Sequence, residues 1–139
     1  MQLTKIITPA IAANGLLLIT SATLVFHFLI LSGIIPFENT WGGRLENREQ
    51  MVVFESISIL VTLLVMGAVG ISAGYLNWKI KPIILKVLFY ILMAVFALNT
   101  VGNLFANNDF EKFFATPVTL ILAIFCWRLA ILTSYPSPS

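Results

Sequence analysis

Four long stretches of this chain carry no charge at all. Ile6 to Phe37, Ser56 to Asn77 and Val87 to Asn108 contain no Asp, Glu, Lys or Arg, and Phe113 to Trp127 is a fourth such run. A helix crosses the hydrocarbon core of a bilayer with roughly 20 mainly apolar residues, within a usable range of about 17–25. The first three runs meet that length, and the fourth meets it if Arg128 lies towards the membrane boundary. The pattern predicts an all-α membrane protein, a single domain over residues 1–139. It places four transmembrane helices at about 9–35, 51–75, 82–105 and 117–135 in an up-down-up-down bundle.

Punctuation residues set the expected ends. Pro9 suits a first helical turn, where its missing N–H would be unpaired anyway, and Pro36 reads as a stop. Gly42-Gly43 marks a turn in the first connector, with Trp41 beside it as an interfacial aromatic. In the second span, Gly70-xxx-Gly74 has the small-xxx-small spacing that allows close helix approach, so it reads as a packing face. Pro82 opens the third span. Asn108, with Glu111 three residues on, resembles a capping box for a short turn that puts Phe110, Phe113 and Phe114 on one side, flat in the interface. Thr116-Pro117 reads as the start of the fourth span. The final residues, 136–139, read as a disordered tail.

Composition strengthens the membrane reading. Hydrophobic residues make up 59% of the 139, charged residues 10%, and mean hydropathy is +0.98. A soluble domain is typically about 25% charged, so this chain has too little polar surface to stay in water. The apolar run after Lys5 is about twice the roughly 7–15 residues of a signal-peptide core and reads as a retained span. The single Cys126 excludes an internal disulfide. A net charge of +2 gives no argument for nucleic acid.

Charge distribution predicts orientation. Lys5, Lys79, Lys81, Lys86 and Arg128 fall on the side of the termini and second connector, whereas Arg44, Arg48 and Lys112 fall on the other. The positive-inside rule then puts both termini in the cytoplasm of a cell membrane. All six acidic residues lie on the opposite, outer side.

Candidate chemistry gathers near that outer side. At ~1.5 Å per residue, His27 lies roughly 12 Å below the outer end of its span, Glu55 about 6 Å, Asn103 about 3 Å and Asn99 about 9 Å. Thr20, Thr23 and His27 share one helix face, as do Glu55, Ser58 and Thr62, then Asn99, Gly102, Asn103 and Ala106, then Thr119, Ala123 and Cys126. One explanation is hydrogen-bonded glue between helices, with Glu55 also favoured by the helix macrodipole. The other is an outward-facing cavity for a proton, an ion or a small polar head group, because ionisable residues within spans are functional candidates. Arg44, after the glycine turn, either folds back to pair with Glu55 or Glu111 or stays in water beside Glu46 and Glu49. Arg128, beside Trp127, suits a side chain snorkelling to the inner interface.

No metal-ligand spacing, His-Glu-xx-His, Gly-x-Ser-x-Gly, P-loop or dinucleotide fingerprint is present in the sequence, and no cofactor is expected. The candidate site is therefore His27, Arg44, Glu55, Asn99, Asn103 and Glu111, without a catalytic assignment or a metal. The combination WGGRL, Phe54-Glu55 opening a span, LNTVGN and FEKFFATP resembles a loose family of small bacterial four-span membrane proteins with no assigned activity. The resemblance runs from Phe37 to Leu129 and implies the fold and a bacterial inner membrane; it adds no chemistry. The expected function is a non-catalytic binding or accessory protein that engages lipid, a protein partner or a second copy. The alternative is a small oligomeric transporter or channel for an ion, proton or small polar solute.

Overall fold

The computed structural model describes residues 2–132 and is all-helical among them. A short helix α1 (Gln2–Ile6) precedes α2 (Pro9–Leu31), α3 (Arg48–Ser72), α4 (Pro82–Leu104) and α5 (Thr116–Leu132). Four helical stretches are long and apolar enough to cross a membrane: α2, α3, α4, and α5 extended back to Glu111.

The ends of these helices follow local chemistry. Thr8 caps α2, its hydroxyl accepting the Ile11 N–H, and Pro9 follows at the first position. At the other end α2 stops at Leu31, short of the Ile35 expected from Pro36. Gly33 turns to φ +82°, and the Ile34 and Ile35 N–H groups both fold back onto the Leu29 carbonyl. Glycine reaches that left-handed conformation without a Cβ penalty, so it ends the helix before proline can. α3 starts earlier than expected, at Arg48, because the Asn47 side chain accepts the Gln50 N–H and caps it. The expected disordered tail, and the end of the fourth span at 135, lie outside the described residues.

Packing joins the helices unevenly. α4 packs along α5 and α2 along α3; α2 against α5 ties the two pairs together, while α3 and α4 barely touch. The main core lies between these pairs and includes Ala12, Leu16, Val65, Val69, Phe89, Leu92, Cys126 and Leu129. Small residues allow α2 and α5 to approach closely. The Phe125 ring lies directly over Gly15, so closely that a Cβ there would collide with it. At one end of the molecule the Tyr75 hydroxyl donates to Asn14 Oδ1 at 2.8 Å, and Arg128 Nε donates to the Ile7 carbonyl at 2.7 Å. Arg128 therefore does more than snorkel, because it ties α5 to the segment between α1 and α2.

Gly70 and Gly74 do not form the shared packing face their spacing predicted. Gly70 is buried against Leu76 of its own connector, and Gly74, at φ +77°, forms the turn that ends α3. The helix stops before the second glycine can join a stripe.

Gly15→Leu should lower the thermal stability of the purified protein in detergent by roughly 1–3 kcal/mol or more, because the added side chain overpacks the α2–α5 contact. Gly67→Ala should leave the melting temperature unchanged or slightly raised, since nothing lies within 4 Å of its added Cβ and alanine is the better helix former.

Candidate functional site

The end of the bundle opposite Asn14 and Arg128 is built around two buried carboxylates. Glu55, in α3, is 0% exposed. With the helix starting at Arg48 it lies about 10 Å from the first residue, at ~1.5 Å per residue. That depth removes the expected support from the macrodipole, which acts only within the first turn. Glu55 is held by neighbours instead. Its Oε2 lies 2.6 Å from Nδ1 of His27 in α2, and its Oε1 accepts the Trp41 indole N–H at 2.7 Å. Neither His27 Nδ1 nor a carboxylate oxygen can bond the other without a hydrogen, so one proton lies between them. His27 keeps 15% of its side-chain surface exposed. Both oxygens of Glu55 are thus spent inside the protein.

The second carboxylate is Glu111, buried in the connector between α4 and α5. Asn108 Oδ1 accepts the Glu111 N–H at 2.8 Å, the capping geometry expected from its spacing. The turn that follows, Glu111–Ala115, is a single widened π-helical turn running straight into α5. Its carboxylate Oε2 accepts the backbone N–H of Gly42 at 2.6 Å. Adjacent residues of the first connector, Trp41 and Gly42, therefore reach different carboxylates, one at the α2–α3 pair and one at the start of the fourth span.

That double reach sets the backbone of the turn. Trp41, Gly42 and Gly43 all have positive φ, at 55°, 70° and 70°. Two glycines adopt this readily, but for tryptophan it costs roughly 1–2 kcal/mol. The surrounding hydrogen bonds hold the strained residue in place. Trp41 also meets Phe54 edge-on, with ring centroids 4.9 Å apart. Its indole is also a hydrogen-bond donor to the buried acid, a role its place beside a glycine turn does not reveal.

Arg44 pairs with neither acid. Its Nη2 donates to the Phe105 carbonyl at 3.4 Å, at the C-terminal end of α4. A cation there meets the negative end of the helix dipole. Gly42 makes room for it, because a Cβ at Gly42 would lie 3.3 Å from Arg44 Nε. Of its two expected placements the exposed one holds, since Arg44 is exposed and pairs with neither Glu55 nor Glu111.

The remaining candidates separate. Asn103 donates its amide to Thr119 Oγ1 at 3.4 Å, and the same oxygen lies 2.9 Å from the hydroxyl of Thr100, which is buried. This is a second polar contact, between α4 and α5. Asn99 joins neither network: it is exposed, and its side chain makes no hydrogen bond to any described residue. The helix is rotated so that Thr100 turns inward and Asn99 outward. The Phe110 segment is not merely flat, since Phe110 stacks on Phe114 at 5.1 Å and meets Phe26 of α2 at 5.9 Å. All three rings stay exposed, Phe113 the most at 78%.

No group of three or more His, Cys, Asp or Glu among the described residues is arranged to hold a metal ion. Comparison with protein-family models, with curated proteins and with solved structures finds no match.

Glu55→Leu should cost about 1–3 kcal/mol in detergent unfolding experiments, because it leaves the partly buried His27 and Trp41 ring nitrogens without their partner. Glu55→Gln, which retains an acceptor for Trp41, should cost clearly less. Gly42→Ala should cost about 1–3 kcal/mol through positive-φ strain and crowding of Arg44, and should speed hydrogen exchange across the first connector.

Proposed function

We propose that this is a multi-pass protein of a bacterial cell membrane, a member of a family of small four-span proteins, and that it acts as a non-catalytic binding or accessory protein. Its spans alternate in direction and both termini are cytoplasmic. Contacts at the two ends support the alternation: Gly42 meets Glu111 at one end, and Asn14 meets Tyr75 at the other. The basic residues near the termini and second connector support the orientation.

The observation that carries this reading is the internal use of both buried acids. Glu55 is occupied by His27 and Trp41, and Glu111 holds the Gly42 N–H. Hydrogen bonds of this kind make a rigid end to the bundle, on which the first and third connectors form one braced surface. Such a surface is suited to holding a partner within the membrane.

A second reading, a small oligomeric transporter, is favoured by one detail. His27 retains exposed surface while its partner is sealed, so a proton can exchange at the pair from one side. Reconstituted vesicles containing a pH-sensitive dye separate the two. The accessory reading predicts proton leak no faster than in protein-free vesicles. It also predicts that a photoreactive group at Asn39 yields one discrete adduct in native membranes, weakened by Gly42→Ala. Leak above background that Glu55→Gln or His27→Ala abolishes would establish transport instead.

A further inference from the structure

Beside the braced turn, a cleft of about 310 Å³ opens between the end of α2 and the start of α3. Its lining includes Ile30 and Met51, both buried, together with Pro36, Phe37, Glu38 and Arg48. We propose that this cleft binds the headgroup of a phospholipid carrying both a phosphate and a primary ammonium.

Three observations point to that ligand. First, Glu38 and Arg48 line one cleft yet make no hydrogen bond or ion pair with each other or with any described residue; the one ion pair among the described residues is His27–Glu55. Both side chains are exposed and unpaired, and they match a ligand whose own charges are separated, with phosphate on the Arg48 guanidinium and ammonium on the Glu38 carboxylate. Second, helix polarity agrees with that assignment. Arg48 is the first residue of α3, where the dipole favours the phosphate. Third, the apolar floor lies where two membrane-length helices end. That is the level of headgroups, with Ile35, Pro36 and Phe37 of the lining open to the glycerol and upper acyl carbons. A soluble phosphoamine would leave this floor unused, so the ligand is a lipid.

The same chemistry predicts selectivity. A primary ammonium donates three N–H bonds that a trimethylammonium lacks, and a glycerol headgroup carries no cation for Glu38. The inference rests on the membrane placement of the helices and not on the accessory role, so the vesicle leak result leaves it unaffected.

The test uses purified full-length protein in detergent, with lipid binding read by native mass spectrometry. Phosphatidylethanolamine should bind about tenfold more tightly than phosphatidylcholine or phosphatidylglycerol, the effect of roughly one charge-assisted contact. Glu38→Gln should bring phosphatidylethanolamine down to the phosphatidylcholine level, and Arg48→Gln should weaken all three. Both side chains are exposed, so the melting temperatures of the lipid-free variants should match the wild type. Equal binding of the three lipids, or a preference that survives both substitutions, would overturn the proposal. So would glycerophosphoethanolamine binding as tightly as the intact lipid, which would make the ligand a soluble phosphoamine.

Discussion

Trp41 and Gly42 each give an N–H to a different buried carboxylate, and this end of the bundle is arranged so that both can do so. The indole reaches Glu55 in α3 and the amide reaches Glu111 before α5. Adjacent residues can diverge that far only where the backbone turns sharply, and Trp41, Gly42 and Gly43 all take positive φ to achieve it. A tryptophan in that conformation is unfavourable by itself, so the two hydrogen bonds must outweigh the strain. Each carboxylate, in turn, is kept from being an unpaired buried charge by the donors the turn supplies. The connection matters because α3 and α4 barely touch. The first connector supplements the α2–α5 contact in joining the two helix pairs.

Around that turn the polar chemistry is mostly local and paired, with the buried Asn108 Nδ2 left without a partner. His27 completes the bonding of Glu55, Arg44 donates to the Phe105 carbonyl just past α4, and Thr100 and Asn103 both donate to the Thr119 hydroxyl between α4 and α5. In hydrocarbon an unpaired polar group is expensive, and pairing within the bundle is the usual remedy. The braced end follows from this pressure. The Glu38–Arg48 cleft lies at the edge of this end, with charges the internal network leaves unused.

Much of this architecture is legible in the chain, and the gaps have physical causes. The uncharged runs locate the four spans because length and the absence of charge are all a bilayer demands. Asn108 and Glu111 predict their cap because capping is a local, three-residue interaction. His27 and Glu55 stand out as ionisable residues in apolar sequence, and they do meet. Rotation is harder to read. α4 is apolar on every side, since lipid and core accept the same side chains, so nothing in the sequence turns Thr100 inward rather than Asn99. Arg44 is ambiguous in the sequence for another reason. Sequence shows side-chain charges, whereas Glu111 is satisfied by a backbone N–H, a donor every residue but proline carries. Arg44 stays exposed, one of its two expected placements, and Gly42 two residues before it makes the bond to the acid. Trp41 was legible as an aromatic near a glycine turn, but its positive φ, which aims the indole at Glu55, is visible only in the fold.

The central claim is that the two carboxylate contacts support one strained turn and so depend on each other. A double-mutant cycle tests it directly: thermal unfolding in detergent of Trp41→Phe, Glu111→Ala and the double variant. If the turn is jointly held, losing either contact lets it relax. The double variant then costs less than the sum of the single losses, by at least about 0.5 kcal/mol, the lower end of coupling between residues in one network. Strict additivity would mean that the two carboxylates are bound independently, and would contradict the account.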